Sequence, residues 1–345
     1  MAILGPTGID DFVKAVLPKF DRGVWADIEQ PYQNYPALAA IEANKIKKGG
    51  IKLKWEVKVD RVNNAAMSNL FQIENTEVRN VFQEATVEYR KLKSSFAYDI
   101  HEEIFQKGEL EQVIDHLKAR NHDARLSKFK LIEDQLWTIP SSSTDNHLNG
   151  IPYYLVKCSA GEEGFVGGHP SGHSEVAGLS RTTYSGWKNY AFDYTAVSKD
   201  DLVAKVRKAI EFTDFKSPEP YPEIKTGSMK YQHFTTYAVI ATMERLLEAQ
   251  NDNLGNDVLS KMGKVMIKGN PVTWVKYLDE NDTSAAPWYG INWGKFQAFH
   301  NGTWMERSEP MSDSGQPTAR TVFYWTWMNL RCVDPRQAGF VGAKI

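Results

Sequence analysis

His169-Pro170-Ser171-Gly172-His173, with Cys158 upstream, is where metal chemistry would be sought first, because imidazole and thiolate are the ligands zinc prefers. A structural zinc needs four closed ligands, and this stretch offers no second cysteine, no Asp in register and no helix to hold the pair. It therefore reads as a polar surface loop with solvated histidines, and its rival is a cytosolic metal-dependent hydrolase using His169 and His173. Gly161, Gly164, Gly167 and Gly168 imitate a phosphate loop, but no Lys-Ser/Thr pair follows and no strand runs into a helix here. Neither Ser171 in Pro-Ser-Gly-His nor Ser185 in Tyr-Ser-Gly-Trp fits a nucleophile elbow. Glu102, Glu103, Glu109 and Glu111 fall on a helical pattern, where charge marks a solvated face. His233 and His300 read as a helix-start residue and a hairpin residue rather than ligands. No set of residues claims a catalytic, cofactor-binding or metal-binding role, and no enzymatic activity is expected.

Composition sharpens this. The 345 residues exceed the ~250–300 at which one core stops growing, so two or three sub-domains are expected. A net charge of −2, with 42% apolar and 24% charged residues, describes a folded chain without the cationic field of a nucleic-acid-coating protein. Cys158 and Cys332 cannot build a disulfide scaffold, the amino terminus lacks a secretory signal, and the longest apolar runs fall far short of the ~18–20 residues that cross a bilayer. Residence in a reducing cytosol is the expectation.

The elements are more telling. Residues 1–48 hold an amphipathic segment over 10–20 and then a loose string, Trp25, Ile28, Tyr32, Tyr35 and Leu38 among prolines, which reads as a strap across its own domain or across a neighbouring chain. Residues 51–59 alternate as a half-buried strand with Lys52, Lys54 and Lys58 on the wet face. A second alternating run over 84–92 can pair with it, bringing Glu84 and Glu88 to the lysines. The connection over 60–83 is too long for a hairpin and carries Met67, Leu70, Phe71 and Ile73, an apolar tip on a projecting arm.

A helical period over 109–137 predicts a spine of ~43 Å, with a kink near 121–123 and a stop at Pro140. Residues 150–156 read as a short buried strand, 200–212 and 234–249 as helices with Ser198 capping the first, and 265–267, 272–275 and 289–293 as strands. Asn301-Gly302 predicts a hairpin between 296–300 and 303–307, and 320–333, apolar on both faces, a central strand. The fold class is α+β. Projecting, aromatic-bearing segments beside no catalytic constellation suit assembly more than catalysis.

Gly150-Ile-Pro-Tyr-Tyr-Leu-Val156, Trp187-Lys-Asn-Tyr190, Pro287-Trp-Tyr-Gly-Ile-Asn-Trp293 and Asn329-Leu-Arg-Cys-Val-Asp-Pro-Arg336 resemble the phrasing of the major capsid proteins of tailed bacteriophages, over almost the whole chain. The resemblance implies the tailed-phage major capsid fold: an N-terminal arm (1–48), an extended β loop (49–96), a peripheral domain with the spine helix (97–148 and 295–333) and an axial domain (149–294) joined by 334–345. It also implies a structural protein that self-assembles, as hexamers and pentamers, into the icosahedral head of a double-stranded DNA phage. Such a protein resides in the virion after assembly in the bacterial host cytoplasm. Its contacts would be the loop tip (Met67, Leu70, Phe71, Ile73) and the arm (Trp25, Tyr32, Tyr35), with scaffold, portal and cement proteins as further partners. Lys45, Lys47 and Lys48, otherwise a wet strand end, become candidates for a weak, non-specific contact with packaged DNA. An encapsulin-like compartment is the alternative within the fold. Some members of the family crosslink a loop lysine to a neighbour's asparagine; no lysine lies between Lys58 and Lys91, which leaves non-covalent closure.

Overall fold

The computed structural model describes residues 35–59, 67, 80–101, 110–214, 231–250, 265–313 and 315–345. The described chain enters through α1 (Pro36–Ala43). Sequence reasoning placed this stretch in a string unable to bury itself. A proline in the first helical turn, where its missing N–H costs nothing, instead starts a helix whose Ala37, Leu38 and Ile41 sit in the main core. β1 (Ile46–Lys47) follows, then β2 (Lys52–Lys58) and β3 (Phe82–Glu88), an antiparallel ribbon with Lys52 opposite Glu88 and Trp55 opposite Ala85. The alternation fixes its faces. Leu53, Ala85 and Val87 are buried, while Lys52 and Lys54 meet Glu88 and Glu84 at 2.8 and 2.6 Å on the wet side.

The second alternating run is not one strand. It breaks at Tyr89, whose hydroxyl donates to Lys48 O at 2.6 Å, and β4 (Arg90–Asp99) leaves for another sheet. Residues 90–96, expected in the extended loop, therefore lie in the spine layer. α2 (Leu110–Leu136) spans 27 residues, about 40 Å, and stays helical through 121–123, where a kink was expected. Asn121 is buried there and accepts the Tyr324 hydroxyl at 2.5 Å.

Where a buried strand was expected, α3 (Ile151–Tyr154) is a helical turn with all four residues buried. A short apolar run fits either element by periodicity, and Pro152 in the first turn favours the helix. β5 (Glu163–Gly164) and β6 (Tyr190–Tyr194) follow, then a helical segment beginning at Lys199, where Ser198 Oγ accepts Asp201 N at 3.1 Å, and continuing as α4 (Ala204–Thr213). Phe234, expected in a helix, ends up in β7 (Tyr231–Thr235), and α5 (Tyr237–Gln250) starts after it. β8 (Met266–Ile267), β9 (Asn270–Trp274), α6 (Lys276–Asn281) and β10 (Trp288–Asn292) complete this region.

The carboxyl part comprises β11 (Phe296–Arg307), β12 (Met311–Asp313), β13 (Gln316–Cys332), α7 (Pro335–Ala338) and β14 (Gly339–Lys344). Asn301-Gly302 does not turn a hairpin. Gly302 adopts φ +75°, but β11 continues through a bulge in which 302–305 stand opposite Thr326 alone. A left-handed glycine serves a bulge as well as a tight turn, and the long β13 keeps its partner extended.

Two large sheets result among the described residues. The spine sheet has order β1-β11-β13-β12 with β4 also paired to β13, which is central as its two-faced apolar run predicts. The axial sheet has order β5-β6-β14-β10-β7-β9-β8, so β14 lies inside it, between β6 and β10. β10 is buried along its whole length, and a Cβ on Gly290 would lie 2.3 Å from the Phe340 ring.

Candidate assembly surfaces

The β2–β3 ribbon is rooted by a tight turn in the body of the protein. Ala177 takes φ +54°, accepts Thr86 N at 2.9 Å and donates its own N–H to the Tyr153 hydroxyl at 3.0 Å. A left-handed alanine costs ~1–2 kcal/mol, which these two bonds offset. Beside the turn lies a cavity of about 310 Å³ lined in part by Glu88, Arg90, His173, Glu175 and Asn329. On its wall Arg90 Nη2 donates to Ser143 O at 2.8 Å, and the hydrogen bond from Lys52 holds the Glu88 carboxyl below its ordinary range. The cavity is a joint between ribbon and body.

The two histidines part company. His173 Nε2 lies 2.8 Å from Pro140 O and its ring stands edge-on to Tyr153 at 5.1 Å, so it is packed and bonded rather than solvated, contrary to expectation. His169 Nε2 meets Thr182 Oγ1 at 3.2 Å, and burial, followed by the nearby Arg181, lowers its pKa. Among the described residues no group of three His, Cys, Asp or Glu side chains converges as a metal site. Cys158 is a free thiol pushed up to about 11 by burial. The glycine stretch is folded onto a buried cation: Arg181 donates to Gly168 O and Tyr154 O at 2.6 Å each and to Asn189 Oδ1 at 3.0 Å. A Cβ on Gly167 would lie 2.0 Å from Asn189 Oδ1. Arg181 escaped sequence reasoning because an arginine in a polar loop carries no periodic signal.

Met67 stands fully exposed, whereas Leu70, Phe71 and Ile73 of the tip and Trp25 and Tyr32 of the arm lie outside the described residues. Tyr35 packs, partly buried, against the chain's own core. Lys45, Lys47 and Lys48 surround β1 in exposed positions, with Lys45 Nζ 4.9 Å above the Trp304 ring and Lys48 Nζ 6.0 Å above Phe299. His300 lies beside this cluster on β11, its pKa lowered mainly by burial. His233 is in β7, fully buried against Trp288 and Phe340 without a protein hydrogen-bond partner, and burial pushes it down to about 4.

The spine sheet is two-sided. Val322, Tyr324, Thr326 and Met328 are buried, while Phe323 and Trp325 are half-buried and Trp327 exposed on the alternate positions, with Lys91 Nζ 5.3 and 5.6 Å from the two indoles. Against the covered face lies Lys128 of α2, 1% exposed, donating to Thr326 Oγ1 at 2.5 Å and pushed down to about 8 by burial. It was legible in retrospect: Leu117, Asn121, Ala124, Lys128 and Ile132 share the three-and-four spacing of one helix face.

No family model and no curated protein sequence matches the chain. Solved structures do. The capsid asymmetric unit of cyanophage A-1(L) aligns over 94% of this chain and 96% of its own, with a TM-score of 0.66 at 13% identity. The capsid of the empty GTA particle gives 0.55 at 11% identity over 94% and 98%, and that of the native GTA particle 0.54 at 13% over 94% and 92%. These matches lend nothing to a hydrolase built on His169 and His173. With its spine helix, ribbon and axial sheet, the chain has the tailed-phage major capsid fold.

Proposed function

We propose that this chain is a non-enzymatic shell subunit that self-associates, as hexamers and pentamers, into the icosahedral head of a double-stranded DNA phage and resides in the virion. The observation that carries the reading is a fold shared along 94% of the chain with a cyanophage capsid protein. The half-open spine sheet supports it, since it carries the indoles of Trp325 and Trp327 and interfaces are enriched in aromatic residues. The tip residues Met67, Leu70, Phe71 and Ile73 and the arm residues Trp25, Tyr32 and Tyr35 are the proposed contacts with neighbouring copies. Lys45, Lys47 and Lys48 are the proposed weak contact with packaged DNA, and scaffold, portal and cement proteins are the proposed further partners.

Negative-stain microscopy of the expressed full-length chain tests the reading. Closed shells or ring-shaped capsomers are expected, and a strictly monomeric species at high concentration overturns it. Nuclease-protected DNA inside particles from infected cells separates a phage head from an encapsulin-like compartment holding protein cargo.

A further inference from the structure

His233 stands in the middle of β7, its backbone flanked by Gly290 of β10 on one side and Val272 of β9 on the other. The residue is 0% exposed, its ring lies 5.5 Å from the Trp288 ring and 5.9 Å from the Phe340 ring, and neither ring nitrogen has a hydrogen-bond partner. Trp288 and Phe340 belong to a core closed by Val206 and Ile210 of α4 and by Val239 and Met243 of α5. With a strand on either side and this core around the ring, His233 reaches water only when β7 leaves a neighbour or the covering helices lift. A neutral imidazole here forgoes two bonds that water would make, a loss that leucine or phenylalanine would not suffer. What histidine adds at such a place is the capacity to take up a proton.

The groups around the ring offer that proton no counter-charge. Trp288 Nε1 is itself a buried donor without a partner. Tyr231, two residues earlier, shares its hydroxyl with Thr213 of α4 at 2.7 Å, Tyr194 of β6 donates to Ala286 O at 2.5 Å, and burial keeps both phenols protonated. The charged side chains of the surrounding elements turn to one another or to solvent. Lys205 of α4 meets Asp201 at 2.9 Å and Asp193 of β6 at 3.6 Å, Lys208 meets Glu163 at 2.9 Å, and Glu211 meets Lys268. Arg207 of α4, Arg245 of α5 and Lys344 of β14 are exposed, and Glu244 of α5 is half-buried. None of these charges acts on His233, where burial is the sole influence.

We infer that His233 is an acid-operated lock on the axial sheet: the sheet closes over the neutral imidazole, and a second ring proton forces it open. An imidazolium in this place would bury a full charge and one more unpaired N–H. The faces of Trp288 and Phe340 return at most ~2 kcal/mol of the several that burying an unpaired ion costs. The contacts therefore fix the direction, and burial accordingly pushes the ring down to about 4 from its ordinary 6.5. Between those values the open state binds more protons than the closed one. The closed sheet is thus held fully above 6.5, loses its hold as pH falls from 6.5 towards about 4, and loses no more below that. Acid would weaken the body of the subunit itself rather than a contact between subunits.

Amide hydrogen exchange of the β7 and β10 segments in the unassembled full-length chain tests this, with protection factors corrected for intrinsic exchange. Between pH 8 and pH 5, wild-type protection taken relative to His233→Leu is expected to fall on the order of thirtyfold, the variant removing the proton site and keeping an apolar ring-sized group. His233→Phe serves as a second variant. The same pH dependence in wild type and variant overturns the lock. The histidine NMR signals of the wild type give a check that needs no variant: the His233 ring should stay neutral in the folded chain down to pH 5, and titration near its ordinary 6.5 overturns the inference. Both measurements read the subunit alone, so their outcome is separate from whether the chain forms shells.

Discussion

The axial sheet and the spine sheet bury their central strands in opposite ways. In the axial sheet β10 is covered on both faces: Trp288, Tyr289, Gly290, Ile291 and Asn292 are all buried, and β14 returns from the end of the chain to flank it. In the spine sheet only one face of β13 is fully covered, and that face takes in the buried cation Lys128, while Trp325 and Trp327 remain on the other. The first sheet stabilises the subunit by itself. The second leaves Trp327 exposed and Trp325 half-buried, the face proposed above to meet a neighbouring copy.

The comparison breaks most directly at Trp288. Trp288→Ala removes a fully buried indole and should cost ~3–5 kcal/mol in urea unfolding of the subunit; a loss below ~1 kcal/mol would mean the axial sheet is not the stable body assumed here. Changing the loop tip should do the reverse. Leu70→Ser with Phe71→Ser should leave subunit unfolding unchanged and lower particle yield, because each side chain is proposed to contribute ~1.5–3 kcal/mol only in the assembled state. Unfolding of the double mutant as a subunit places the tip in an internal core; normal particles make it a solvated loop.

Lys128 sharpens the contrast through pH. Its folded pKa of about 8 lies below the ordinary 10.5, so the folded state binds fewer protons between those values. Stability should therefore rise as pH climbs from about 8 to 10.5 and be lowest below that window. Lys128→Met should abolish the rise and stabilise the subunit at pH 7 by ~1–3 kcal/mol, as replacement of buried charge by apolar volume often does. Equal slopes in both proteins would place the titration elsewhere.

Smaller effects separate the two histidines and test the open face. His173→Ala loses the bond to Pro140 O and the contact with Tyr153 and should cost ~1–2 kcal/mol, whereas His169→Ala should stay within ~0.5 kcal/mol. A cost within ~0.5 kcal/mol for both would restore the picture of two solvated histidines. Trp327→Ala should shift subunit stability by no more than about 0.5 kcal/mol, measured by thermal unfolding; a larger loss would mean the indole is already used within the subunit.

Much of this plan was legible before any coordinates. Alternation over 51–59 and over 84–92, the latter only as far as Glu88, dictated the ribbon and its charge pairs, the helical period over 109–137 dictated the spine, and the two-faced run at 320–333 dictated a central strand, because each pattern repeats often enough for burial to enforce one answer. Single local signals were weaker. Asn301-Gly302 and the run over 150–156 each fit two structures, and the length of β13 and the position of Pro152 decided between them.

The sequence by itself determined which strands alternate and where the spine runs, since these depend on neighbours a few residues apart. Tertiary structure alone decided that Glu133 meets the start of α1, that Arg181 fills the glycine-rich loop and that β14 lies inside the axial sheet between β6 and β10. Each of these joins residues distant along the chain, and a buried charge or a returning strand is chosen by the shape and donors of the place it enters, which no local spacing records.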